Sequence, residues 1–294
     1  MSRVAFIGIG AMGEPMAANL LKKGFGVTVL KHRRAEAAQR LEALGAKVAN
    51  TPGAAVDGCE IVFLSLPTSK EVEAVVLGRD GVLERAAAGT VVVDCSTSDP
   101  QSTRRLAKAL KEKDVSLVAA GMTRGVAGAK QGTLAFFTGG DEAAIRKAQP
   151  ALDALGNTFI YFGPADHAHT AKIISNVLSY STVALVNEAL MLGAKSGVDL
   201  GILYKALSEG APSKALEAFG SRMVAGEYDP ARVTIDHVCD DMMLLQSLAA
   251  ATAAPVFGMG AAQEVYRLAQ SRALGSRDMS IIADPWRAEV KAAK

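Results

Sequence analysis

The sequence predicts a doubly wound α/β domain over residues 1–163 and an all-helical domain over residues 164–294, joined by a long helix. Three observations carry this. Short apolar runs alternate with helix-like segments through the first half, the pattern of strands connected by crossover helices. Runs such as Ile61–Leu64 and Val91–Val93 are apolar without interruption, as strands buried on both faces of a parallel sheet are. After Gly163-Pro164 no convincing strand remains.

Strands are expected at Val4–Ile7, Val27–Leu30, Lys47–Ala49, Ile61–Ser65, Val91–Asp94, Ser116–Ala119, Ala135–Thr138 and Thr158–Tyr161. Helix-like segments between them include Ala35–Leu44, Lys70–Leu77, Gln101–Lys113 and Glu142–Leu155. From His167 to Ser196 apolar residues recur on a helical period with no proline, and Gly197 marks the stop. Further helices are expected at Leu200–Ser208, Lys214–Ala225, Ile235–Ala251 and Pro255–Ser271.

The first strand runs into Gly8-x-Gly10-x-x-Gly13, with a helix beginning near Pro15. That order is the strand, glycine turn and helix of a dinucleotide-binding unit. Gly8 permits the turn, Gly10 allows close approach of a pyrophosphate, and Gly13 lets helix pack on strand. Backbone N–H groups and the positive dipole end at Ala11, Met12 and Gly13 then face the phosphates. The second strand ends in Lys31-His32-Arg33-Arg34, with no acid until Glu36. An acid there would bind a ribose 2′-OH, whereas this basic cluster suits a 2′-phosphate. NADP(H) is therefore favoured over NAD(H).

Composition narrows the rest. Half of the residues are hydrophobic and 21% are charged, so a sizeable core is expected. The net charge is +2 and no basic block is interleaved with aromatics, which disfavours nucleic acid as a partner. The apolar runs fall short of the roughly 18 residues of a membrane span. No secretory signal precedes the first strand, and Cys59, Cys95 and Cys239 are scattered. The expectation is a cytoplasmic protein with three buried thiols and no zinc site.

With these residues in view, the chain resembles the β-hydroxyacid dehydrogenases over nearly its whole length. Four segments carry the resemblance. Gly8–Leu20 is similar to the family's GxGxMGxxMAxNL opening, and Asp94–Pro100 to its DxSTxxP. Gly125–Leu134 is similar to its glycine-rich substrate loop and the segment after it, and Lys172-Ile-Ile-Ser-Asn176 to its KxxxN helix. The resemblance implies a Rossmann-like domain, a linking helix, an all-α domain, an active site in the cleft between them, and a homodimer or homotetramer built through the helical part. It also implies hydride transfer between the dinucleotide and a small anionic substrate, a 3-hydroxy acid or its semialdehyde.

Lys172 is then the candidate catalytic residue, giving a proton to a carbonyl oxygen or taking one from an alcohol. Asn176, four residues on and so on the same helix face, is its partner. No metal is required, because Lys172 supplies the polarisation. From spacing alone a solvated Lys–Asn pair is the favoured reading, and the flanking apolar Ile173, Ile174, Val177 and Leu178 together with the resemblance reverse it. Ser96, Thr123 and Gly125 are the expected substrate-binding positions, with Arg124 where relatives carry glycine. An arginine fork suits carboxylate, sulfonate or phosphate, although Arg124 could instead face solvent or a cofactor phosphate. Asp240 stands where the family's Lys-Asp-Leu has lysine. It suits a substrate with hydroxyl or amino groups, or compensates for Arg124. Leu66, Pro67, Thr97 and Asp241 are expected to line the cofactor. His167 and His169 are read as helix-start polar groups and His237 as a satisfied cleft or core histidine. Two other readings stay open: an imine reductase-like enzyme, against which Lys172 argues, and a dinucleotide-binding assembly module without catalysis.

Overall fold

The computed structural model describes residues 2–31 and 35–292. The chain divides into two compact units, Met1–Lys172 and Ile173–Lys294. The division falls inside the long helix rather than at the expected 163/164.

In the first unit the elements run β1 (Arg3–Ile7), α1 (Gly13–Lys22), β2 (Gly26–Leu30), α2 (Ala35–Ala43), β3 (Lys47–Ala49), α3 (Pro52–Val56), β4 (Ile61–Leu64), α4 (Ser69–Leu77), α5 (Val82–Arg85), β5 (Val91–Asp94), α6 (Pro100–Lys111), β6 (Ser116–Thr123), α7 (Gly125–Gln131), β7 (Leu134–Gly140), α8 (Glu142–Asp153) and β8 (Gly156–Tyr161). The helix α9 (Ala165–Lys195) begins here and continues into the second unit.

The strands form an eight-stranded sheet in the order β3-β2-β1-β4-β5-β6-β7-β8. Alternation along each strand sends Val4, Phe6, Phe63 and Val93 to one face. Ala5, Ile7, Leu64 and Val92 go to the other. Met16, Leu20, Leu41 and Leu152 cover the first face, and Val56, Val72, Leu106 and Leu110 the second. Two buried faces explain why these strands read as unbroken apolar runs.

The sheet departs from an all-parallel expectation at one place. β6 and β7 are antiparallel, and β7 pairs with β8 in parallel. This pairing also carries β6 past the expected Ala119 to Thr123, which pairs with Ala135. The glycine-rich stretch after it, expected as a loop, is the helix α7.

The second unit contains the rest of α9, then α10 (Leu200–Gly210), a π-helical turn (Leu216–Gly220), α11 (Ser221–Ala225), α12 (Ile235–Thr252), α13 (Phe257–Ser271), a 3-10 turn (Met279–Ala283) and α14 (Asp284–Ala292). Its core gathers Ile173, Val177, Val183, Leu190, Met223, Val238, Met242, Tyr266 and Trp286. The Trp286 indole N–H donates to Asn187 Oδ1 at 2.8 Å, satisfying two buried polar groups at once. By length and composition alone α9 is apolar enough to cross a membrane, contrary to the sequence-based expectation. Half of its most apolar window is buried inside the protein, as in a core helix.

Candidate active site

The glycine turn after β1 lies where the strand order changes direction: β1 connects through α1 to β2 on one side and pairs with β4 on the other. Open α/β sheets bind ligands at such a point, beyond the carboxyl ends of the strands. Gly8 has φ 97°, and a Cβ on it would lie 2.1 Å from the Ser65 carbonyl oxygen. A Cβ on Gly13 would lie 1.9 Å from the Gly8 carbonyl oxygen. These two glycines are demanded by the chain itself. Gly10 is different, because nothing lies within 4 Å of where its Cβ would be.

Gly10 and Ala11 are exposed, and Met12, at the start of α1, offers no side-chain cap to the helix. Open space over an uncapped helix N-terminus fits a diphosphate. The acid in that first turn, Glu14, is held by Arg40 through bonds of 2.6 and 2.8 Å. The Arg40 hydrogen bond holds its carboxyl below the usual range, and the pairing offsets a negative charge that would oppose an anion there. Lys31 is exposed, and its N–H donates to the Ala49 carbonyl. His32, Arg33 and Arg34 lie outside the described residues.

The ends of β4 and β5 are tied together. The Leu66 N–H donates to Ser96 Oγ at 3.0 Å. Asp94, buried, accepts from the Ser96 N–H at 2.9 Å and from Ser98 Oγ at 2.7 Å. The Asp-x-Ser segment is thus a braced turn at the carboxyl edge. Ser96 is itself buried, while Thr97 is half-buried and Pro67 exposed.

Lys172 is 9% exposed. Its stem lies on β6, where a Cβ at Gly121 would approach its Cβ and Cγ to 2.9 Å. His169, one turn earlier, is fully buried. Its Nδ1 pairs with Thr103 Oγ1 at 2.7 Å, and its Nε2 lies 3.8 Å from Asp94 Oδ2. His169 therefore fastens this helix to the turn bearing Ser96, whereas His167 is exposed. Among the described residues no cluster of ligands could hold a metal.

Thr123 ends β6 and is half-buried, and Gly125 is exposed with open space around it. Arg124 between them differs from expectation. Its backbone is left-handed at φ 77°. Its guanidinium donates to the Thr133 carbonyl and Asn157 Oδ1, both at 2.6 Å, and to Thr158 Oγ1 at 2.9 Å. The fork expected to meet a substrate anion is committed to the edge of its own sheet.

In the second unit, Asn176 Nδ2 donates to Asp241 Oδ2 at 2.7 Å, and the Tyr180 hydroxyl to the same oxygen at 2.9 Å. Asp241 is 2% exposed. The residue expected to line a cofactor is thus buried among partners of its own unit, holding Asn176. Burial first, and then the Asp241 charge, pushes the Tyr180 phenol well above its ordinary range, so it remains a donor. Asp240, the next residue before Asp241, is exposed. His237 corrects an expectation: its side chain is 46% exposed, with Nε2 3.6 Å from Asp241 Oδ2. Tyr180 was missed from the sequence. The signal was present, since Lys172, Asn176 and Tyr180 recur at four-residue intervals on one helix.

Comparison with known proteins agrees with this geometry. Residues 3–163 match the NAD binding domain of 6-phosphogluconate dehydrogenase. Residues 167–286 match the NAD-binding family of NADP-dependent 3-hydroxyisobutyrate dehydrogenase. The chain is 34% identical over 289 residues to an NAD-dependent L-serine dehydrogenase of Pseudomonas aeruginosa, covering 96% of this chain and 97% of that protein. It is 37% identical over 209 residues to a 3-hydroxyisobutyrate dehydrogenase of the same organism, covering 71% and 70%. A Mycobacterium tuberculosis 3-hydroxyisobutyrate dehydrogenase structure with L-serine superposes with a TM-score of 0.87 at 26% identity, over 98% of this chain and 99% of that one. The chain belongs to the β-hydroxyacid dehydrogenase family of nicotinamide-dinucleotide oxidoreductases.

Proposed function

We propose that this protein interconverts a small 3-hydroxy acid and its semialdehyde or keto form, with preference for NADP(H). The observation that carries the chemistry is Lys172, a lysine 9% exposed and set on the apolar surface of β6. The bound nicotinamide would supply or accept the hydride. Lys172 gives its proton to the substrate oxygen in reduction and takes it back in oxidation. Asn176, one turn along the same helix, steadies the reacting groups. Thr123, Gly125 and Ser96 offer hydroxyl and backbone groups to the carboxylate. Relatives named for L-serine and 3-hydroxyisobutyrate support a three-carbon hydroxy acid core in the substrate. Asp240 favours a member of that class bearing an amino or further hydroxyl group. The cofactor preference rests on Lys31–Arg34 of this chain, since one relative is named as NAD-dependent.

The test is Lys172→Ala, assayed against glyoxylate, succinic, tartronate and methylmalonate semialdehydes, sulfolactaldehyde and the corresponding alcohols. A fall in kcat of about 10²–10⁴ is expected for a lost general acid, with cofactor affinity little changed. A variant with near-parental kcat ends this mechanism and revives the imine reductase reading.

A homo-oligomer in the cytoplasm is proposed with it. Leu178, Leu185 and Leu192 stand seven residues apart on α9 at 56%, 63% and 68% exposure. A stripe of that period is the seam of helix pairing between copies. Leu185→Glu should shift the sedimentation coefficient to that of a monomer, and an unshifted oligomer would discard this face.

A further inference from the structure

We propose that Gly121 is a positioning residue for Lys172: its missing side chain lets the lysine root rest on β6, which sets where the ammonium points. The inference rests on Lys172 as the proton-transfer group.

A Cβ at Gly121 would lie 2.9 Å from both Cβ and Cγ of Lys172 and 3.3 Å from its Cδ. These atoms are the root of the side chain, not its flexible tip. A methyl there could not be avoided by swinging the ammonium, so the lysine rotamer, the helix or the strand would have to move. Gly121 does not serve the backbone, because its φ lies outside the left-handed region. Glycine weakens a strand interior and is kept where another group must come close.

The surroundings agree. Ala119, two residues earlier on the same face of β6, packs with Ala165 and Ala168 of α9. On the neighbouring strand, a Cβ at Gly139 would meet the Pro164 carbonyl oxygen at 2.5 Å and Ala168 Cβ at 3.0 Å. Ala119 and Gly139 are register partners. Ala165, Ala168 and Lys172 follow a three-then-four spacing, one face of a helix. The start of α9 thus lies on a floor of small residues, and Lys172 is the polar end of the face that touches it.

The test uses the full-length enzyme with NADPH and its best semialdehyde, comparing Gly121→Ala, Lys172→Ala and the double variant. Misplacing a reacting group by about an ångström costs up to about a hundredfold. Gly121→Ala should lower kcat by about ten- to a hundredfold with KM for NADPH unchanged, and should raise the solvent deuterium isotope effect on kcat. In the Lys172→Ala background the same change should alter kcat less than twofold. A Gly121→Ala enzyme with kcat within twofold of the parent overturns the proposal, as does an equal loss in both backgrounds. Should Gly121→Ala fail to fold, the variant combining Gly121→Ala with Lys172→Gly, which lacks the crowded Cβ, Cγ and Cδ alike, is expected to fold, and its failure to do so also overturns the proposal. Near-parental kcat in Lys172→Ala alone defeats the underlying reading instead, whatever Gly121 does.

Discussion

Asn176 donates its amide Nδ2 to the buried Oδ2 of Asp241 at 2.7 Å. The bond fixes which way the amide faces, with its carbonyl oxygen turned away from Asp241. An amide with free choice would offer either end. Tyr180 donates to the same oxygen of Asp241, so two donors of the helical unit share one charge.

The consequence for Asp241 is measurable. Asp241→Asn removes the charge that fixes the amide and should lower kcat at least about tenfold through misorientation. Tyr180→Phe leaves the Asn176 bond in place. It should cost about 1 kcal/mol of stability with kcat nearly unchanged. The folded phenol titrates above its ordinary value of 10.0. Its stabilisation is therefore complete below that value and is lost as pH rises through the folded pKa. Denaturation midpoints above pH 10 should fall less steeply in Tyr180→Phe. Parental kcat in Asp241→Asn would show that the amide orientation is incidental.

The glycine turn separates two kinds of glycine. Gly8→Ala meets the Ser65 carbonyl and a φ of 97°, so the variant should lose both stability and cofactor. Gly10→Ala meets nothing within 4 Å. Its melting temperature should stay close to the parent while NADPH binding, read by fluorescence titration, is lost. Unaltered NADPH binding by Gly10→Ala would remove the diphosphate from this turn.

Cofactor choice should respond to the residues after β2. Arg33→Ala with Arg34→Ala is expected to weaken NADPH far more than NADH, because only NADPH carries the 2′-phosphate. Equal kcat/KM for the two cofactors in the unmodified enzyme would remove the basis for the preference.

Arg124 should behave as part of the sheet edge. Arg124→Ala loses three hydrogen bonds yet keeps a left-handed backbone at φ 77°. Arg124→Gly loses the same bonds but removes a conformational cost of about 1–2 kcal/mol, so it should melt above the alanine variant. Both should change KM for an acid substrate and for its neutral amide alike. A selective loss for the acid would return the guanidinium to the substrate.

The strands and the glycine turn were legible because each leaves a local mark, an apolar run or a spacing of glycines, whereas Lys172 stood out only through the resemblance of its KxxxN segment. What was not legible depends on partners far away in sequence. Arg124 finds Asn157 and Thr158 only after β7 and β8 are in place. Asn176 and Asp241 are 65 residues apart, and nothing in either neighbourhood announces the other. The direction of β7 leaves no trace in its hydrophobic pattern, since a buried strand reads the same both ways. Helix α7 was hidden by its glycines, which read as loop on propensity. Gly121 carries no signal of its own in the sequence, and its place beneath the stem of Lys172 shows only in the fold.

The reversal of β7 decides where the lysine arrives. β8 follows β7, so it ends at the edge of the sheet opposite the carboxyl ends of β1, β4, β5 and β6. The helix that leaves it must travel back across the sheet. It passes Ala165 and Ala168 over Ala119 and Gly139, then sets Lys172 over Gly121, two residues further along β6. Each turn brings it nearer the glycine turn and the Ser96 segment. With β7 and β8 parallel to the rest, the same helix would start at the ligand edge and carry its lysine away. A single change of strand direction, silent in the apolar pattern, makes the helix a delivery arm.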